Sequence, residues 1–158
     1  LEFYDPERVT EVLAVDPAGG ARSLAERRIG DFARPVRWIG LDGADLPLDD
    51  HSVDTVVAAF TLCTIPDVAT ALAEARRVLR PGGELRYLEH GLHADPKVAR
   101  RQRRIEKVWK PLAGGCHLTR NADNLVRDAG FELRRSEHHS MPGPSFSTAL
   151  YEGVAVPA

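Results

Sequence analysis

Cysteine is scarce in this chain. Two thiols in 158 residues, Cys63 and Cys116, make neither a disulfide framework nor a spaced metal quartet, so no metal is expected and a reducing, cytoplasmic setting is the default. Long hydrophobic runs are also lacking, and the apolar stretches are strand-sized, well short of the ~18 residues of a membrane-spanning helix. The opening Leu1-Glu2-Phe3-Tyr4-Asp5 has neither the basic start nor the apolar centre of a signal peptide. Charge of one sign is missing too. The 21 Lys and Arg face 23 Asp and Glu, a net charge of −2, so nothing global argues for nucleic acid. No repeat or low-complexity tract is present. What remains is an ordinary soluble composition, 43% hydrophobic and 28% charged, long enough for one domain with a real core.

Apolar strand-like runs alternate with amphipathic helices, which is the rhythm of a parallel α/β sheet. Val12-Leu13-Ala14-Val15 reads as a short strand ending on Asp16. Ala21, Leu24, Ala25, Arg28 and Phe32 form the stripe of the next helix. Residues 36–41 make a second strand, ending on Asp42, and residues 53–60 are apolar on both faces towards their end, as in a central parallel strand. Val68, Leu72, Ala75 and Leu79 recur at helical spacing, with Arg76, Arg77 and Arg80 in the last turn, where the helix dipole favours cations. Pro81-Gly82-Gly83 then stop the helix, and a strand follows over residues 85–89.

The second half changes character. Asp95-Pro96 is an N-cap followed by proline at the first helical position. The helix it starts, residues 96–112, carries seven Lys or Arg between Lys97 and Lys110. Residues 118–121 cap another helix, which stops at Gly130. Two last strands, residues 131–135 and 149–156, are joined by a link too short for a crossover helix, so they should pair antiparallel.

This punctuation, and the strand-end acids, resemble class I S-adenosylmethionine-dependent methyltransferases of the type 11 kind. Asp42-Gly43-Ala44-Asp45-Leu46-Pro47 resembles the family's D-A-x-x-L-P segment, with Gly43 in place of the usual Ala. Phe60-Thr61-Leu62-Cys63 after a strand, Glu89-His90 at the end of the next, and Gly115-Cys116-His117-Leu118-Thr119-Arg120 are similar to the subgroup that includes alkyl-thiol S-methyltransferases. The fold implied is a Rossmann-like, doubly wound, mostly parallel sheet with a C-terminal antiparallel strand pair.

The resemblance assigns expected roles. Asp16 with Pro17, and Asp42 with Gly43, Ala44 and Leu46, would bind S-adenosyl-L-methionine, since a carboxylate is a bidentate acceptor for ribose hydroxyls or an adenine amino group. Capping of the next helix is the competing role for Asp16. Thr61, Leu62 and Cys63 would line the methyl-donor pocket, with Cys63 a buried thiol rather than a nucleophile. His90 is the candidate base, or else a histidine bonded to Glu89 or a helix. Glu89, Trp109, Cys116 and His117 would face the acceptor, although Trp109 also suits a packed lid helix. His51 reads as a solvated turn residue. The basic face over 97–110 is a solvated surface or a peripheral contact with anionic lipid.

Methyl transfer from a sulfonium is an in-line displacement, so alignment in a dry pocket is the main task. A thiol acceptor, with an ordinary pKa near ~8.5, needs only a single base to ionise. S-methylation of a small thiol is therefore the expected activity, with no metal. O-, N- or C-methylation of a lipid- or quinone-like molecule competes. The family's first strand and its G-x-G-x-G turn are missing, because Gly19-Gly20 come too late, and residues 1–4 look like the tail of the helix after that turn. The expectation is a single, N-terminally incomplete domain over residues 1–158, and a catalytically empty remnant is a further reading. A nicotinamide-dependent enzyme shares the acid after the second strand, but the terminal strand pair and the Asp42 segment argue against it.

Overall fold

Val12–Val15 (β1) and Val36–Gly40 (β2) pair in parallel, with Val12 opposite Val36 and Val15 opposite Gly40. The intervening helix α1 spans Gly19–Gly30. This computed structural model describes every residue except Glu2. The chain divides into two compact units, Leu1–Pro47 and Leu48–Ala158.

In the smaller unit the amphipathic stripe expected of α1 is not covered. The helix buries none of its residues and Leu24 is 67% exposed, because only one two-stranded sheet accompanies it there. Arg22 lies over the Trp38 ring at 4.7 Å, which ties α1 to β2. Residues 1–4 were expected to be a helix tail, and Glu2 lies outside the described residues. Of the others, Tyr4 donates to the Leu1 carbonyl at 3.0 Å, which closes a turn.

The larger unit holds a four-stranded sheet in the order β3-β4-β6-β5, built from Val53–Ala59 (β3), Leu79–His90 (β4), Phe131–Ser140 (β5) and Ala149–Pro157 (β6). β3 and β4 are parallel, and β6 runs antiparallel between β4 and β5. The reversed last strand expected from the short link is thus inserted within the sheet. β3 reads as a central strand in sequence, yet it is the outer strand here, and Val57 is 49% exposed.

Helix α2, Val68–Val78, is capped by Asp67, whose side chain accepts from Thr70 N, and turns Ala71, Leu72, Ala75 and Val78 inward. The chain becomes extended at Leu79, before the proline expected to stop the helix, because Leu79 pairs with Val53. The Pro81-Gly82-Gly83 segment is then a bulge: Val53 sits opposite Leu79, but Thr55 sits opposite Glu84. Gly82 has φ +82, and a Cβ on Gly83 would lie 2.9 Å from the Asp54 carbonyl, so both positions need glycine. The core joins Leu72, Leu79, Leu85, Tyr87, Val126 and Phe131.

Helix α3, Pro96–Leu112, has the bounds expected, with Asp95 accepting from Lys97 N at 2.7 Å. Gln102 is fully buried on it and bridges the carbonyls of Gly91 and Phe146, both at 3.0 Å, while accepting from His93 N. Helix α4, Ala122–Asp128, follows its Asn121 cap.

Candidate functional site

The loop after β3, residues 60–66, is gripped from two sides. Glu89 on β4 is fully buried and accepts from the N–H groups of Thr61 at 2.8 Å, Leu62 at 2.9 Å and Cys63 at 3.1 Å. Burial pushes its carboxyl pKa up, and the three amides counteract that rise. Arg120 reaches the carbonyls of the same loop, Leu62 at 2.6 Å, Ile65 at 2.8 Å and Pro66 at 3.3 Å. His117 N donates to the Cys63 carbonyl at 2.7 Å. A buried acid thus satisfies the loop's donors while a guanidinium satisfies its acceptors.

Phe60 opens this loop with φ +52, a left-handed conformation that bulky residues seldom adopt. Its side chain remains 42% exposed. The ring meets His90 edge-on, with centroids 4.9 Å apart. His90 ends β4, is half-buried, and holds Nε2 3.4 Å from Met141 Sδ. Beneath it lie the two thiols: one ligand-type atom each from Cys63, His90 and Cys116 falls within 4.8 Å of the other two. Cys116 is brought in by a turn in which Gly114 and Gly115 have φ +60 and +93.

The pair of thiols is electrostatically polarised. Hydrogen bonding from Cys63 lowers the Cys116 pKa, with help from His90 and the Trp109 N–H, against the cost of burial. Cys63 is driven the opposite way, first by Cys116, then by burial and the Glu89 charge. Trp109 Nε1 is buried without a hydrogen-bond partner of good geometry, and its ring packs edge-on against Phe146 at 5.4 Å. The arrangement suits a thiolate, a soft cation or a proton acceptor.

Of the residues expected at the acceptor side, His90, Trp109 and Cys116 come together. His117 turns away, its Nδ1 3.1 Å from Glu106. Glu89, expected to face substrate, lies under the loop with its oxygens occupied by amides. Leu62 and Cys63, expected to line the methyl-donor pocket, are 4% and 2% exposed, and Leu62 belongs to the core. Thr61, also expected there, is exposed and shares the open face with Phe60. His51 is exposed but not free, since its Nδ1 lies 2.9 Å from the Leu79 carbonyl.

In the smaller unit, Asp16 and Asp42 follow the carboxyl ends of two adjacent parallel strands. Asp16 Oδ1 accepts from Ala18 N at 2.7 Å and Asp42 Oδ1 from Ala44 N at 2.9 Å. Each turn therefore presents a fixed carboxylate with its Oδ2 unbonded among the described residues, which fits donors such as ribose hydroxyls and an adenine amino group. Pro17 is exposed, and Gly43, Ala44 and Leu46 are partly buried.

Residues 2–87 match the family described as Methyltransferase domain. The chain belongs to this methyltransferase domain family. The family expected from the sequence is the one found. Rat (Rattus norvegicus) thiol S-methyltransferase TMT1B is 33% identical over 150 residues, covering 90% of this chain and 59% of that protein. The ubiquinone/menaquinone biosynthesis C-methyltransferase UbiE of Ectopseudomonas mendocina is 30% identical over 165 residues, covering 91% of this chain and 62% of that protein. This methyltransferase chain thus spans about three-fifths of the curated relatives it matches. A SAM-dependent methyltransferase of Methanosarcina mazei has the same Rossmann-like fold, with a TM-score of 0.71, 19% identity, and coverage of 94% of this chain and 83% of that one.

Proposed function

We propose that the protein transfers a methyl group from S-adenosylmethionine to the sulfur of a small thiol. The observation that carries this reading is the similarity to a thiol S-methyltransferase over 90% of the chain. When bound, the cofactor supplies an electrophilic methyl on a sulfonium. Asp42 and Asp16 are the residues proposed to hold its adenosine, through the unbonded oxygens of their turns. His90, half-buried between Phe60 and the Cys116 thiol, takes the acceptor's proton. Phe60, Met141 and Trp109 exclude water around that proton transfer.

Incubation with methyl-labelled S-adenosylmethionine and a panel of alkyl and aryl thiols tests the reading. Labelled thioether is the expected product, and its absence across the panel would overturn the thiol assignment. The similarity to UbiE favours a second reading, C-methylation of a quinol. A reduced quinone in the same panel distinguishes the two.

The proposal extends to the surface of α3. Its basic residues, with Val108 65% and Leu112 79% exposed, would rest on anionic lipid. Co-sedimentation with phosphatidylserine vesicles but not phosphatidylcholine vesicles is expected, and equal recovery from both would refute the contact.

A further inference from the structure

We infer that Cys63, His90 and Cys116 form a binding site for one thiophilic divalent cation, typified by Zn2+, with two sulfur ligands, one nitrogen ligand and a fourth position open. The three side chains come from the loop after β3, the end of β4 and the turn after α3, so no local spacing announces them. Their ligand atoms already lie within 4.8 Å of one another. A tetrahedral zinc site with Zn–S near 2.3 Å and Zn–N near 2.0 Å places such atoms about 3.5–3.8 Å apart. Contraction by at most about 1.3 Å completes the triangle.

The surroundings are built to hold that triangle. Cys63 is fixed on both sides of its backbone, its N–H on Glu89 at 3.1 Å and its carbonyl on His117 N at 2.7 Å. Gly115, with φ +93, permits the turn that brings Cys116 to the same loop. His90 is oriented by the Phe60 ring. The buried Trp109 N–H, with no other hydrogen-bond partner among the described residues, faces Cys116 and offers a hydrogen bond to a ligating sulfur, the type of outer contact that tunes metal thiolates. Both thiols are buried, at 2% and 5% exposure, and the carboxylate of Glu89 beside Cys63 accepts three backbone amides. A dication bound by two thiolates and a neutral imidazole is formally uncharged, whereas two bare thiolates in this place would not be tolerated.

Binding breaks the two S–H bonds, forms two metal–sulfur bonds and releases the protons to solvent. Three protein ligands leave a position for an exogenous donor, as in catalytic rather than structural zinc sites. If the acceptor is a thiol, its sulfur takes that position. The metal would then favour its thiolate, with the proton released to solvent; His90 would be a ligand in the metal-bound protein and takes the acceptor's proton in the metal-free one. That role of the open position rests on thiol methylation, whereas cation binding by the three side chains does not.

Cobalt(II) titration of the reduced, chelator-treated protein under argon is the test. One equivalent should produce intense sulfur-to-cobalt charge-transfer absorption with tetrahedral visible bands, and Zn2+ should bleach both. The chain has two cysteines, so a thiolate band from the wild-type protein reports on these side chains without any variant. Cys63→Ser and Cys116→Ser should each weaken binding at least about 10-fold, and Glu132→Gln, on the exposed face of β5, should not. Absence of the charge-transfer band in folded wild-type protein would overturn the site, as would a band of unchanged affinity in either serine variant. Thiol methylation without the band refutes the metal site alone, and the band without methylation refutes the thiol reading alone.

Discussion

The buried carboxylate of Glu89 accepts the backbone N–H of Cys63 at 3.1 Å, so an acid on one strand sets the position of a thiol on the loop of its neighbour. Glu89→Gln places an amide N–H2 against donors that need an acceptor. A loss of about 1–3 kcal/mol is expected for leaving such buried groups unsatisfied. Urea denaturation should show the midpoint falling at constant slope, and amide exchange should quicken at residues 61–63. Arg120→Met removes the opposing grip. The two changes should combine non-additively, by about 0.5 kcal/mol or more, because they share one loop. Strict additivity would show that the two grips act independently.

Tyr87 lies across Gly153 in the β4–β6 ladder. A Cβ on Gly153 would fall 2.3 Å from the Tyr87 Cζ and hydroxyl. Gly153→Ala should therefore displace the ring and loosen its 2.6 Å bond to Asp123. Overpacking of this kind costs about 1–3 kcal/mol. A thermal melt at wild-type temperature would show that β6 shifts freely to make room.

Asp123 collects the Tyr87 hydroxyl at 2.6 Å, the Ser136 hydroxyl at 2.7 Å and His138 Nε2 at 2.9 Å. Burial raises its pKa, but these donors outweigh that effect and the carboxyl is held below its ordinary 3.8. A folded pKa below the unfolded one means the ionised carboxylate stabilises the fold above pH 3.8, and that the contribution fades as pH falls through the lower folded value. Asp123→Asn should thus be less stable than wild type at neutral pH, and the gap should narrow below pH 3.8. A gap that is constant with pH would exclude ionisation as its source.

Much of the fold was legible because each element carried its own punctuation. Asp95-Pro96 gave α3 its start, and the short link after residue 140 gave the antiparallel last strands. The sequence pattern carries the helix two residues too far, through Leu79 and Arg80, because the pairing of Leu79 with Val53 is a non-local contact that local propensity does not register. Glu89 could have been placed correctly: along β4 the inward positions are Leu85, Tyr87 and Glu89, and period-two alternation would have turned the acid into the core. The left-handed Phe60 and the three-carbonyl grip of Arg120 left no trace in composition or spacing. The resemblance places His90 and Cys116 together, but that Cys63 joins them is hidden for a topological reason, since successive members are 27 and 26 residues apart in sequence and meet only once β3, β4 and the α3–α4 turn are assembled.

Calorimetric titration with S-adenosylmethionine tests the account at its base. The wild-type protein should bind one equivalent. Asp42→Asn should bind about 10-fold more weakly or worse, since that change keeps the acceptor for Ala44 N but removes the charge and one of the two acceptor oxygens. Saturable binding that is indifferent to Asp42→Asn, or no binding heat at all from the folded protein, would contradict it.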